Sequence, residues 1–440
     1  MGAESSSTKV HHERKKYFSK EEYHRLLHHI RKLAKDGETV PVTMLEKHIT
    51  RSFNPDMGKK FTHLLTRGRP VTSLPCTTIV DQLGPPLKGS LEERLYLTLT
   101  LAGGGQAGVL SDQIMKYTEV MLAAYVNSIA NMSGSKHWKP SPPEVIQQIS
   151  QALLHDLLFS GASPKEVWKK PPPKVRFSYD DFERWCLGHS IFTSLELEAL
   201  KGCFPFSPLD YRGLLPEVQT TPKRFPTMLS AAQVMLLNSA LPSTLQTDWR
   251  FLFSTAVHGW SFSIFMKQIV GKGPSVIVIE DQSGNKFGGF ASTSWEVRPQ
   301  FQGTAECFLF TLVPQTGIFR STGFNGNYMY LNYLEKNTMP NGLGMGGREE
   351  LFGFWLDYDF GKGTVAPTCT TFRSPPLSPH QELEIQGIEV WAVGPEEEDS
   401  DEEGTRQRSA LDKNPDAQAL LDMIGKTRVS EGLREAEESD

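Results

Sequence analysis

No stretch of this sequence approaches the roughly 18 consecutive apolar residues that a membrane-crossing helix requires. The opening residues, MGAESSSTKVHHERKK, lack the apolar centre of a secretory signal, so export is not expected. Cysteine is scarce. The five cysteines (Cys76, Cys186, Cys203, Cys307, Cys369) are odd in number and show no CxxC spacing. That pattern fits reduced thiols in the cytosol and argues against a zinc ribbon or a disulfide framework. What remains is an ordinary globular composition, 38% hydrophobic and 22% charged over 440 residues, enough for two or three domains.

Charge is uneven. Residues 1–70 hold 15 Lys and Arg against 8 Asp and Glu, a net of +7. Residues 395–440 hold 6 against 15, a net of −9. A basic head and an acidic tail suit different partners. The head also begins Met1-Gly2-Ala3-Glu4-Ser5-Ser6, which fits the N-myristoylation pattern with Gly2 as acceptor and Ser6 at the hydroxyl position. One acyl chain holds a membrane weakly. Arg14, Lys15 and Lys16 add attraction to an anionic membrane surface, about 1 kcal/mol per charge. Reversible membrane association is the expectation.

Residues 19–35 predict a helix: Ser19 can cap it, and Tyr23, Leu26, Leu27, Ile30 and Leu33 follow helical spacing. A short extended piece and a second helix over 43–51 complete an EF-hand-like outline. Its loop is wrong for calcium. Counting from Asp36, positions three and five are Glu38 and Val40, and position twelve is Lys47 where a bidentate Glu is needed. Residues 90–130 repeat the outline around the loop 103–108, which has no carboxylate. Helices over 144–160 and 178–202 follow, separated by Pro171-Pro172-Pro173. The result is a helical EF-hand-like region over 19–203 without metal. Residues 204–227, rich in proline, mark a linker.

From residue 228 the texture changes. Helices are expected over 228–237 and 261–270. Short strands are expected over 249–254, 276–280, 286–291, 307–312, 317–320, 328–331, 351–357 and 388–393, with Asp281-Gln282-Ser283-Gly284-Asn285 as a hairpin turn. The fold class is α+β, a β-sandwich with flanking helices over 228–394. Residues 395–413 form an acidic linker. Over 414–425, Asn414 and Pro415 start a helix, and Ala417, Leu420, Leu421 and Ile424 fall at i, i+3, i+4 and i+7. So short a helix is marginal alone and needs a groove, which assigns those four residues to partner binding. Residues 1–18 and 426–440 read as flexible tails.

No reaction centre emerges. Gly342-Leu343-Gly344-Met345-Gly346-Gly347 matches GxGxxG, but a strand-like segment rather than a helix follows, so close backbone packing is the better reading. Asp357 and Asp359, placed on one face of a strand, could join His258 in a metal or acid–base site; a solvent face or turn cap for the pair and a hydrogen-bonded structural role for His258 are the better reading. Ser261 in Gly-Trp-Ser-Phe-Ser fails the nucleophile-elbow pattern. Cys307 in an apolar strand reads as an inert buried thiol. No catalytic residue, metal, cofactor or nucleic acid is expected.

The strand region carries a set of motifs: Trp249-Arg250-Phe251-Leu252-Phe253-Ser254, His258-Gly259-Trp260-Ser261-Phe262, Phe287-Gly288-Gly289-Phe290-Ala291, Cys307-Phe308-Leu309-Phe310, Phe352-Gly353-Phe354-Trp355-Leu356, Cys369-Thr370-Thr371-Phe372 and Glu389-Val390-Trp391. These resemble the TLDc family across the whole domain. Trp295-Glu296-Val297-Arg298-Pro299, Pro340-Asn341-Gly342-Leu343-Gly344, Ala417-Gln418-Ala419-Leu420-Leu421 and the Met-Gly start resemble in particular its mTOR-associated branch. The resemblance implies a place on the cytosolic face of the lysosomal membrane and in the cytoplasm, a link to mTOR pathway components, and binding to the vacuolar proton ATPase. The function expected is a non-enzymatic adaptor. The alternative, drawn from the wider family, is an oxidative-stress-resistance protein with weak antioxidant activity.

Overall fold

The computed structural model describes residues 17–105, 107–159, 174–219, 221–222, 225–333, 340–348 and 351–396. The helix Lys20–Leu33 starts where the cap chemistry places it. The Ser19 hydroxyl accepts the Glu22 N–H at 3.2 Å, and the Glu22 carboxylate accepts the Ser19 N–H at 2.9 Å, a reciprocal capping box. Leu26 and Ile30, one turn apart, are fully buried. Lys35 and Asp36 adopt left-handed backbone angles and turn the chain into strand β1, Thr39–Pro41, and the helix Val42–Ser52.

A second unit follows at once: the helix Pro55–Leu65 capped by Asn54, strand β2 at Ser73–Pro75, and the helix Cys76–Gln82. β1 and β2 pair antiparallel, Val40 opposite Leu74. The arrangement recurs. The helix Leu91–Ala102, β3 (Val109–Leu110) and the helix Ser111–Ile129 pair through β4 (Arg176–Phe177) with the helices Pro143–Leu153, His155–Leu158 and Tyr179–Gly188. EF-hand-like units therefore come in two back-to-back pairs, each joined by a short β ribbon. Gly108 permits the second ribbon: a Cβ there would meet the Phe177 carbonyl oxygen at 2.0 Å. The helix expected over 178–202 is two helices, broken at His189, with Ser190–Cys203 as the second. Glu196, fully buried on it, accepts hydrogen bonds from Thr98 (2.5 Å) and from Tyr117, tying three helices together.

The Pro-rich segment after Cys203 is itself packed. Phe204, Phe206, Leu214 and Leu215 are buried, and β5 (Glu217–Val218) runs parallel to β6 (Asp248–Ser254). The helix Ala231–Ala240 is buried nearly all round, as its uniformly apolar sequence requires.

Ten further strands follow: β7 (Ser275–Asp281), β8 (Lys286–Ala291), β9 (Arg298–Gln302), β10 (Phe308–Val313), β11 (Gly317–Arg320), β12 (Met329–Asn332), β13 (Gly342–Met345), β14 (Phe354–Asp357), β15 (Lys362–Val365) and β16 (Glu382–Val393). One half of the sheet has the order β11-β10-β8-β7-β16-β6-β5, the other β16-β15-β14-β13-β12-β9. The 12-residue β16 belongs to both: Glu384 pairs with Lys362 of β15, and beyond a register shift near Gly387 the strand pairs with β7 and β6. The halves face each other. Ile277, Ile279, Phe287 and Leu309 share a core with Leu343, Met345, Phe354 and Leu356.

β7 shows why its sequence, SVIVIED, does not alternate. Ile277 and Ile279 point into the sandwich, while Val276 and Val278 point into the helical half. A strand covered on both faces must be apolar on both. Trp138, from the helical half, stands edge-on to Trp249 (5.9 Å) and close to Trp391 (4.9 Å). Each such aromatic burial contributes on the order of 2–3 kcal/mol, so helices and sandwich hold one continuous core.

Candidate interaction surfaces

The GxGxxG segment is mostly strand. Gly342–Met345 is β13, with Gly344 opposite Trp355 of β14 and Tyr330 of β12. A Cβ at Gly344 would come within 2.7 Å of the Phe352 ring and 2.8 Å of the Trp355 ring. The glycines make room for an aromatic layer of Phe301, Tyr330, Phe352 and Trp355, in which the last two stack at 4.6 Å. Gly346 and Gly347 then take positive φ in the turn. These glycines serve close packing, and among the described residues no helix begins beside them.

The acidic pair is rearranged. β14 ends at Asp357, and Asp359 lies in the following turn, so the two do not share a strand face. Asp357 accepts the indole N–H of Trp355 at 2.8 Å. His258 stacks on Phe251 and Phe253, and its Nδ1 accepts the Ser254 N–H at 3.2 Å. Ser261 caps the helix Phe262–Ile269 by accepting the Ile264 N–H. Among the described residues no group of three or more His, Cys, Asp or Glu is placed to hold a metal ion.

All five cysteines are buried and unpaired by disulfides. Burial pushes every one of the thiols above its ordinary range. Cys307 donates to the Ser292 hydroxyl at 3.2 Å. Thiols held protonated and away from solvent are poor nucleophiles.

Two surfaces stand out. A cleft of about 580 Å³ lies between helical half and sandwich, lined by His155, Asp156, His189, Ser239 and Arg320 among others. His189 stacks on Trp185 at 4.7 Å and meets Asp156 at 3.2 Å, while Arg320 donates to the Ala240 carbonyl. At one end of the sandwich, Val257, Trp260, Ile264 and Tyr358 are exposed near buried Phe360, whose ring lies 6.0 Å from Trp260. The period of the helix Phe262–Ile269 accounts for Ile264: Phe262, Phe265, Met266 and Ile269 take the buried face. The acceptor Gly2 and the four stripe residues Ala417, Leu420, Leu421 and Ile424 lie outside the described residues.

A family model for the TLDc domain matches residues 224–394. Beyond that domain, the chain is 35% identical over 416 residues to the MTOR-associated protein MEAK7 of Homo sapiens, covering 90% of this chain and 89% of that one. The chain belongs to the TLDc family. The MEAK7 protein of Gallus gallus is 38% identical over 368 residues, 80% of this chain and 77% of its own. Oxidation resistance protein 1 of Xenopus laevis is 34% identical over 168 residues, 38% of this chain and 19% of its own. The likeness to the MTOR-associated members thus takes in the helical half, whereas the likeness to the oxidation resistance protein has the length of the TLDc sandwich alone. None of the described helices is long and apolar enough to cross a membrane.

Proposed function

We propose that this chain is an adaptor without catalytic activity that binds the vacuolar proton ATPase at the cytosolic face of the lysosome and supports mTOR growth signalling. The observation that carries the reading is the 35% identity to an MTOR-associated protein over nearly all of both chains. The myristoylation pattern at Gly2 and the apolar stripe of Ala417, Leu420, Leu421 and Ile424 supply a membrane address and a partner-binding segment.

The test is a pull-down from lysosomal membranes with the full chain, a chain ending at Gly394, and Leu420→Asp/Leu421→Asp. Pump subunits are expected on the full chain and lost from both others. Capture by all three moves recognition to the TLDc surface. Capture by none sinks the ATPase reading.

A second reading, weak antioxidant activity, is favoured by the 34% identity to oxidation resistance protein 1. The buried, protonated thiols weigh against it. Peroxide turnover by purified protein that disappears on replacing one cysteine or His258 would reinstate it.

A further inference from the structure

Two loops of the sandwich form a pocket of about 410 Å³. The first loop follows β11 and the second follows β15. Six of the lining residues carry its chemistry: Thr322, Phe324, Thr368, Thr370, Arg373 and Ser374. The loops hold each other. The Thr322 N–H donates to the Thr371 carbonyl at 2.9 Å, and the Thr322 hydroxyl donates to the Thr370 carbonyl at 3.0 Å. The Thr371 hydroxyl donates to the Asn325 side-chain oxygen at 2.7 Å and accepts the Gly347 N–H at 2.8 Å. The walls are therefore set before anything binds, which lowers the ordering cost of association.

Several donors in the lining are uncommitted. Arg373 is exposed, and among the described residues no carboxylate or carbonyl engages its guanidinium. Its backbone is left-handed, with φ at 49°, a conformation that a residue other than glycine adopts at a cost. Ser374 is 2% exposed, and its hydroxyl has no hydrogen-bond partner among the described residues. Buried hydroxyls are normally paired. The Thr370 hydroxyl accepts the Asn325 amide at 3.4 Å and keeps its own proton to give. Residues 307–334 and 360–381, which contain both loops, include no Asp or Glu. Positive charge and O–H donors thus line the pocket with no carboxylate to answer them.

That donor set fits a phosphate monoester, which carries a charge of about −1.5 to −2 and three strong acceptor oxygens. The planar fork of an arginine takes two such oxygens side by side. We propose that this pocket captures a phosphorylated side chain of a partner peptide, with Arg373 on the phosphate and Phe324 against an apolar neighbour of the modified residue. The Thr370 and Ser374 hydroxyls supply the remaining donors, and no hydrogen bond within the chain holds Ser374 back from turning to an oxyanion. Phe324 is 77% exposed, a large rigid ring at the mouth of a charged pocket. Reading phosphorylated side chains through arginine is a recurring mode of peptide recognition. An anionic bilayer is instead read by clusters of about four to eight basic residues, and this pocket is lined by one.

The probes are oriented peptide libraries with a fixed central phosphoserine, phosphothreonine or phosphotyrosine, each beside its unphosphorylated counterpart. The unacylated full chain is expected to retain at least one phosphorylated library tenfold or more over its counterpart. Arg373→Ala, folded by circular dichroism, is expected to lose that preference. Lys362→Ala, which removes a cation outside the lining, is expected to keep it. Equal retention of phosphorylated and plain libraries overturns the proposal. So does a preference undiminished in Arg373→Ala, or one lost equally in Lys362→Ala. Should Arg373→Ala fail to fold, Arg373→Asn takes its place, because asparagine tolerates the left-handed backbone. Vesicles carrying phosphatidylinositol phosphates form the second arm. Vesicle binding that needs Arg373, without any phosphopeptide preference, overturns the peptide in favour of a lipid headgroup.

Discussion

Glu389, on the last strand, accepts the hydroxyl of Thr227 at 2.6 Å across 162 positions of chain. The same carboxylate accepts the Met228 N–H at 2.6 Å and the Trp391 indole N–H at 2.6 Å. It is fully buried. Burial raises its pKa, and the three donors pull it back. Glu389 thus fastens the entry of the TLDc domain to its central strand.

Glu389→Ala leaves three buried donors unpaired and is expected to destabilise the chain by about 3 kcal/mol or more. Glu389→Gln keeps one acceptor but turns an amide toward the Met228 N–H, at a cost of about 1–3 kcal/mol. Urea unfolding of the two variants checks both. A midpoint unchanged in Glu389→Ala contradicts the fastening role.

The aromatic layer over β13 gives a second test. At Gly344 a methyl group meets the Phe352 and Trp355 rings from one side. Gly344→Ala is expected to cost about 1–3 kcal/mol through overpacking and to shift tryptophan fluorescence in the folded state. Gly361→Ala, where no atom lies within 4 Å of an added Cβ, is the control and is expected to be nearly silent.

His29 and His48, whose Nε2 atoms lie 3.3 Å apart in the helical half, predict acid sensitivity of a stated sign. Burial, followed by the neighbouring His48 and Lys32, lowers His29 to about 4 in the folded chain, from its ordinary 6.5. The unfolded chain binds that proton more readily. The contribution is therefore complete above pH 6.5 and lost as pH falls toward 4. His48, also lowered, adds in the same direction. Unfolding midpoints between pH 7 and 4 should fall less steeply in His29→Gln than in the parent. Parallel profiles would remove this role from His29.

These residues also show which parts of the architecture were open to inspection beforehand. Ser19 with the apolar spacing behind it located the helix Lys20–Leu33, and the spacing of Phe262, Phe265, Met266 and Ile269 located a second helix, because caps and periodicity are local properties. β7 and β8 were visible as apolar runs around a turn sequence. β13 was not: Gly-Leu-Gly-Met has no strand composition, and only the rings of Phe352 and Trp355 explain it. β9, β15 and the first half of β16 went unseen because they are short or carry exposed polar residues between buried ones. The helix Cys76–Gln82 is too short to show a period, so the pairing of β1 with β2 stayed hidden. Glu389 and the His29–His48 pair depend on contacts between distant segments, which single-sequence patterns do not encode.

The membrane arm of the proposed function can be tested from the sequence chemistry of the N-terminus. A single myristoyl chain binds bilayers with a constant of about 10⁴ M⁻¹. Arg14, Lys15 and Lys16 each add up to about 1 kcal/mol at an anionic surface, roughly a fivefold gain apiece. Protein coexpressed with a myristoyltransferase should therefore sediment with phosphatidylserine vesicles. Gly2→Ala should release it. Replacing the three basic residues with alanine should weaken binding by up to about 100-fold, and raising the salt should do the same to the parent by screening. The two signals are separable. Binding that survives Gly2→Ala but collapses in salt makes the basic cluster sufficient and the acyl chain dispensable. Binding lost in Gly2→Ala but indifferent to salt assigns the second anchor to a protein partner, for which the vacuolar ATPase is the proposed candidate.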